Sequence, residues 1–293
     1  MDFERVVDSL SDLSDSEMYH YSVDSMPFPL AEKLVEIVDL CRSLLFPGYY
    51  GRGIVDARSL KFHVGVDAEN LYCKLSKQIA AGLSYSCASQ YKSKDGLWST
   101  AGQLAQDFVN SLPDLRRTLA QDVLAHYRND PAAHNQGEVI MCYPGLKAIS
   151  SYRIAHKLVE LGVPLIPRII TEMAHSETGI DINPEARIGC GFAIDHGTGV
   201  VIGATCIIGR NVTLYQGVTL GAKNFPQNED GSLVKGIERH PILGDNVIVY
   251  ANATILGRVT IGSGSVIGGN LWVVHDVPEN TKLFYSEYKS VDR

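Results

Sequence analysis

His196 stands within Asp195-His196-Gly197-Thr198-Gly199, and imidazole is the side chain whose ordinary pKa lets it take up a proton near neutral pH. A base of that kind converts a hydroxyl, a weak nucleophile at neutral pH, into an effective one. A second group, Arg239-His240-Pro241, sets a guanidinium beside an imidazole. That pair suits an anionic group such as a carboxylate. A lone histidine in a soluble protein is more often a packing or surface residue than a base. What raises these positions above that reading is where they fall in the pattern of the chain.

That pattern has a period of six. Ile182, Ile188 and Ile194 open successive hexads, and the step recurs at Ile202, Ile208, Leu214 and Leu220, then at Leu243, Val249, Ile255, Ile261, Ile267 and Val273. Neither the 3.6-residue period of a helix nor simple strand alternation produces this. Three short strands of one hexad each make a triangular coil of about 18 residues, and stacked coils share one core. The residue four places after each opener must fit the corner of the triangle; Ala186, Thr198, Cys206, Val212, Val218, Val247, Ala253, Val259 and Ser265 are small or β-branched there. Phe192 and Leu271 are larger, which assigns them to the first and last coils, where an end needs covering. The regular parts, 182–223 and 243–276, amount to about four coils.

Two interruptions break the rhythm. From Ile194 to Ile202 the step is eight, and the extra residues fall beside Asp195 and His196. From Leu220 to Leu243 the step is 23; a polar excursion, 224–242, leaves the solenoid and returns through Arg239-His240-Pro241. A chain departs from its own rule mainly where function requires it.

The elements ahead of the solenoid are helical by their spacing. Leu30, Leu34, Ile37, Val38, Cys41, Leu44 and Leu45 share one face, ended by Pro47-Gly48, and further helices are expected over about 67–86, 100–111, 113–128, 143–161 and 164–173. Residues 1–28 are acidic and serine-rich, the composition of a mobile segment. The division is therefore 1–28, a helical domain 29–178, a solenoid 179–280 and a tail 281–293. With 293 residues, 45% of them hydrophobic, the chain can bury a substantial core. No apolar run is long enough to span a bilayer and no signal peptide opens the chain, so a cytoplasmic protein with reduced cysteines is expected. A net charge of −7 with no basic half argues against a nucleic-acid partner. Asp130-Pro131, taken locally, reads as a helix N-cap with proline at the first helical position.

Seven motifs in order resemble the serine O-acetyltransferases: Asp130-Pro-Ala-Ala, Tyr152-Arg-Ile-Ala-His156, Asp181-Ile-Asn-Pro-Glu-Ala, Asp195-His196-Gly-Thr-Gly, Val218-Thr-Leu-Gly221, Arg239-His240-Pro241 and Ala253-Thr-Ile-Leu-Gly257. The resemblance covers about half the chain. It implies an α+β protein, an N-terminal α-helical domain followed by a C-terminal left-handed parallel β-helix. It further implies acetyl transfer from acetyl-CoA to the hydroxyl of L-serine for cysteine biosynthesis, directly in a ternary complex. His196 would be the base and Asp181, 15 residues earlier, its orienter one coil away; Asp130 and Asp195 would take the serine ammonium, Arg239 and His240 its carboxylate or hydroxyl. Small residues at Gly221, Ala222, Ala251 and Ala253 would let the pantetheine arm of CoA approach the backbone, although Ala222-Lys223 and Tyr250-Ala251-Asn252 stand where the family commonly has more glycine. Lys223, Lys235 and Arg239 are candidates for its phosphates. No metal is expected. Homotrimers, or dimers of trimers, would carry sites between chains. The family's tail inserts into cysteine synthase, whereas this chain continues Thr281-Lys-Leu-Phe-Tyr and ends in Arg293, which argues against that complex.

Competing readings are an acyltransferase for another amino acid or a sugar, separable by trying homoserine and amino sugars, and an inert solenoid, which would bind no CoA ester. A zinc solenoid enzyme needs about three histidines; His196, His240 and His275 lack a converging spacing.

Overall fold

The structure, a computed structural model, describes residues 3–12, 14, 28–51, 56–87 and 93–285. Most of the acidic segment, and the tail beyond 285 on which the cysteine synthase expectation rests, lie outside them. Among the described residues seven helices precede the solenoid: α1 Phe3–Leu10, α2 Ala31–Leu45, α3 Leu60–Cys87, α4 Lys94–Asn129, α5 Gln136–Cys142, α6 Pro144–Glu160 and α7 Ile166–Thr178. α1 buries none of its residues, whereas α2 sinks Leu34, Ile37, Cys41 and Leu44 into the core against α3.

Two expectations about the helices are corrected. Pro113 does not divide two helices; α4 runs straight through it. Its missing N–H costs one backbone bond, but Ala105, Phe108, Leu112, Leu115 and Leu119 bury one continuous face on both sides of the proline, and the Ser111 hydroxyl donates to the Phe108 carbonyl. Packing of that face outweighs the local break. Asp130 caps no new helix. It closes α4, and its Oδ1 accepts from Ala132 N at 2.8 Å in a turn. The next helix starts at Gln136, where the Asn135 side chain accepts from Glu138 N and Glu138 accepts in return from His134 N.

Fourteen short parallel strands follow: β1 Asp181–Ile182, β2 Arg187–Ile188, β3 Ala193–Asp195, β4 Val201–Ile202, β5 Ile207–Ile208, β6 Thr213–Tyr215, β7 Thr219–Gly221, β8 Ile242–Leu243, β9 Ile248–Val249, β10 Thr254–Leu256, β11 Thr260–Ile261, β12 Val266–Ile267, β13 Trp272–Val273 and β14 Lys282–Leu283. They form three faces: β1-β4-β7-β10-β13, β2-β5-β8-β11 and β3-β6-β9-β12-β14. Every hexad opener is buried. Faces of five strands mean about five turns, not four, because β14 completes a coil past the expected boundary at 280.

The register carries both interruptions. Asp181 pairs with Val201 across the eight-residue step, Val201 with Thr219 at the plain coil length of 18, and Thr219 with Thr254 across the excursion. The extra residues therefore bulge outward and leave the stack in phase. Thr198 is not a corner residue as its spacing implied. It is exposed, and Val200, fully buried, fills the corner because the two added residues precede it. Likewise Ile242 belongs to β8 rather than to the excursion. Corners turn through left-handed backbone: Asn211 and Asn246 stack with φ of +56° and +59°, Asn211 Nδ2 donating to Asn246 Oδ1 at 3.3 Å. Asparagine tolerates that region better than other side chains.

α4 and α6 close the first coil. An open solenoid end leaves carbonyls and N–H groups without partners, and here the helices supply them. Tyr152 and Arg153 donate to the carbonyls of Ala186, Ile188 and Gly189, and His156 Nδ1 to that of Pro184. Arg153 is itself held by Asp122 at 3.1 Å from both Nε and Nη2, while Asp122 Oδ1 accepts from Phe192 N at 2.9 Å. Both partners are buried. Asp122→Ala leaves a buried guanidinium uncompensated, so it should destabilise the fold by about 3–5 kcal/mol, read as a lowered denaturant midpoint; an unchanged midpoint would show that the junction does not depend on this pair.

Candidate active site

His196 terminates the strand that the helices clamp. Ile194 N–H donates to His126 Nε2 at 3.2 Å, and His126 Nδ1 donates in turn to the Asp122 carbonyl at 2.8 Å. Gly145 on α6 packs directly on the Ile194 carbonyl, where a side chain would collide. From this fixed strand the chain enters the long step, and His196 takes φ +56°, a conformation that costs an L residue roughly 1 kcal/mol or more. The strain turns the imidazole outward; it is 73% exposed, with Nε2 3.8 Å from Asp195 Oδ2.

Asp130 joins this edge from the end of α4. The Tyr143 hydroxyl donates to its Oδ2, and this bond, then the Ala132 N–H, and His196 nearby hold its carboxyl below the usual range. The same bond pushes the Tyr143 phenol up to about 12. Asp130, Asp195, Tyr143, Asn129 and Thr213 line a small cavity beside His126. Two carboxylates next to an exposed imidazole make an anionic pocket with a base at its rim, suited to a cationic molecule that carries a hydroxyl.

Asp181 is not brought to His196 by any hydrogen bond or ion pair among the described residues. Its carboxylate lies within 4.8 Å of ligand atoms of Glu172 and His175 on α7. Val201 pairs with Asp181 in the strand register, and the loop that carries His196 stacks on the residues just before Asp181: Gly199 N–H donates to the Gly179 carbonyl at 2.8 Å and Gly197 packs on Ile180.

Arg239 and His240 are on a different edge. They precede β8, at the corner between the faces of β7 and β8, whereas His196 lies at the corner between those of β3 and β4. The Arg239 guanidinium lies over the Phe225 ring at 5.6 Å, and its Nε is buried without a partner. His240 is only 7% exposed; burial first, then the charges of Arg239 and Arg258, push its pKa down. The residues expected at CoA divide the same way. Gly221 and Ala222 end the β7 strand on the Arg239 edge, and Ala251 follows β9 on the His196 edge. Ala253 is fully buried at a corner of the solenoid core, as its place in the hexad requires. Lys223 and Lys235 are exposed.

Four residues of the site were not singled out by sequence: Tyr143, His126, Thr205 and Arg258. Tyr143 and His126 act across the helix-solenoid junction, for which no local spacing is a signal. Thr205 and Arg258 sit one coil below and above His240, and the excursion hides that alignment by stretching one coil to 35 residues.

His126 gives the site a pH signature. Burial pushes its pKa below the ordinary 6.5, and its Nδ1 donates to a carbonyl while Nε2 accepts an N–H, so the folded chain holds it neutral. Below about pH 6.5 the unfolded chain binds a proton that the folded one does not, so stability falls as pH drops through that value. His126→Gln should lose less stability than the parent between pH 7.5 and 5.5 in urea melts; an identical loss would remove His126 as a contributor.

The family described as "Serine acetyltransferase, N-terminal" matches residues 72–151, and "Bacterial transferase hexapeptide (six repeats)" matches 240–274. A plasmid serine acetyltransferase of Synechococcus elongatus is 42% identical over 98% of this chain and 92% of its own length. The serine acetyltransferase of Bacillus subtilis is 45% identical over 56% of this chain and 71% of its own. Among solved structures, serine acetyltransferase isoform 3 of Entamoeba histolytica in complex with cysteine superposes with a TM-score of 0.73 and 31% identity, over 98% of this chain and 91% of that one. The Neisseria gonorrhoeae serine acetyltransferase in complex with serine gives 0.56 and 27%, over 85% and 95%.

Proposed function

The chain belongs to the serine acetyltransferase family, and on that premise we propose that His196 activates the serine hydroxyl for attack on acetyl-CoA in a site assembled from the edges of two subunits. The fold is the hexapeptide-repeat left-handed β-helix of that family behind a helical region. The protein is an acyltransferase that acetylates serine for cysteine biosynthesis, with acetyl-CoA as co-substrate.

In the proposed mechanism serine lies with its ammonium between Asp130 and Asp195 and its carboxylate at Arg239 and His240. His196 takes the hydroxyl proton as the oxygen attacks the thioester carbon; the new C–O bond forms, the C–S bond breaks, and the imidazolium returns its proton to the departing thiolate. The pantetheine arm runs past Gly221, Ala222 and Ala251. An orienting role for Asp181 rests on the family resemblance, with Gly179 and Ile180 beside it stacked on the loop that carries His196. Cysteine, serine's thiol counterpart, would compete for the same pocket. A cytoplasmic location is part of the proposal.

The observation that carries this reading is the outward, strained His196 beside Asp195 and Asp130, with the cationic groups one edge away. The face between those edges presents Asp181, Val201, Thr219, Thr254 and Trp272, with Val201 and Trp272 exposed. If three copies turn this face toward a common axis, the His196 edge of one meets the Arg239 edge of the next. The direct test of function is thiol release from acetyl-CoA with L-serine, homoserine or an amino sugar as acceptor. Serine should give the highest kcat/KM; release with serine no faster than without acceptor would overturn the assignment.

A further inference from the structure

Thr205 lies directly beneath the Arg239-His240 pair and touches it four times. Its Oγ1 accepts from Arg239 N at 3.0 Å and from His240 N at 3.1 Å; its own N–H reaches His240 Nδ1 at 3.1 Å, and Oγ1 is 2.8 Å from the same nitrogen. A backbone N–H only donates, so Nδ1 must be the unprotonated, accepting nitrogen. With both Oγ1 lone-pair directions taken by backbone N–H groups, the hydroxyl hydrogen is free to point at Nδ1 as well. The proton of a neutral His240 is therefore on Nε2.

The rest of the corner holds the ring in that state. Gly203 forms its floor, and a side chain there would run into Cδ2 and Nε2. Arg258, above, donates from Nη1 to the carbonyls of Thr205 at 2.7 Å and His240 at 3.0 Å, and from Nη2 to Glu238 at 2.9 Å. The charged groups facing His240 are thus Arg239 and Arg258, with Glu238 bound to Arg258, and the cations oppose its protonation. A histidine so fixed is a one-way donor.

We propose that Thr205 is a positioning residue for acetyl transfer, locking His240 as the Nε2–H tautomer so that it presents a hydrogen-bond donor to the carboxylate or hydroxyl oxygen of the acyl acceptor. This rests on the assignment of His240 to the serine site. It also bears on specificity, because a site that presents a fixed donor favours acceptors with an oxygen at that point over analogues lacking one.

The test is a double-mutant cycle on the full chain. Thr205→Val keeps the size and the backbone N–H but removes the hydroxyl. It should raise KM for serine roughly tenfold, with KM for acetyl-CoA and kcat nearly unchanged, and Thr205→Ser should restore most of the loss. In a His240→Ala background, Thr205→Val should have less than about a twofold further effect, since nothing remains to position. An equal effect in both backgrounds, or a failure of Thr205→Ser to rescue, would overturn the proposal. If His240→Ala alone left the serine KM unchanged, the placing of His240 in the serine site would be what failed.

Discussion

His196→Ala is expected to lower kcat by about a hundredfold to ten-thousandfold, the range that a positioned general base contributes, while acetyl-CoA still binds. Among the described residues, serine's hydroxyl has no other free imidazole on this edge. Asp130 and Asp195 are carboxylates, and Asp130 is held below its usual range by Tyr143 and the Ala132 N–H, so it is a poor proton acceptor. The other candidate imidazoles are engaged: His126 lies buried between two backbone groups and His240 is bonded to Thr205. Because His196 sits at positive φ, His196→Asn is the stricter variant, as asparagine accepts the left-handed region with little strain. Thiol release under saturating serine measures kcat, and equilibrium binding of CoA measures the intact half of the site. Turnover retained in the asparagine variant would refute the role of His196 as base.

Mixing two inactive variants should restore activity. The groups proposed to act on one serine lie on separate edges of one prism, so a chain by itself does not close a site. A His196→Ala chain still carries Arg239, and an Arg239→Ala chain still carries His196. If sites form between copies, random co-assembly at equal amounts pairs the two intact edges at about one quarter of interfaces, so roughly a quarter of the parent activity should return. Co-refolding the two variants and assaying against each alone reads this directly. No recovery, with mixed oligomers shown to form, would place the whole site within one chain and overturn the threefold arrangement.

Part of the candidate site was legible because it coincides with faults in a repeat. The eight-residue step marked Asp195 and His196, and the return of the excursion marked Arg239 and His240. Both are local departures from a rule that the neighbouring hexads state repeatedly. Asp130 was legible only through family motifs, and its local reading as an N-cap was displaced by a turn in which Ala132 and Tyr143 claim its oxygens. Thr198 was misread as a corner residue. Counting four places from Ile194 ignores where inside the long step the extra residues fall.

The chain by itself determined the solenoid, its two interruptions and the helical region before it, since a six-residue period of buried aliphatics admits one way of stacking and needs no distant partner to be seen. Only the tertiary structure decided that α4 passes through Pro113, that Asp122 and Arg153 bind helices to the first coil, and that Thr205 grips His240 across a coil stretched to 35 residues. It also put the cationic groups on another edge from His196. The reason is common to all of these. Periodicity fixes what repeats along the chain, whereas a contact between residues far apart in sequence depends on how whole elements meet, and packing of buried faces outweighs the preferences of single residues.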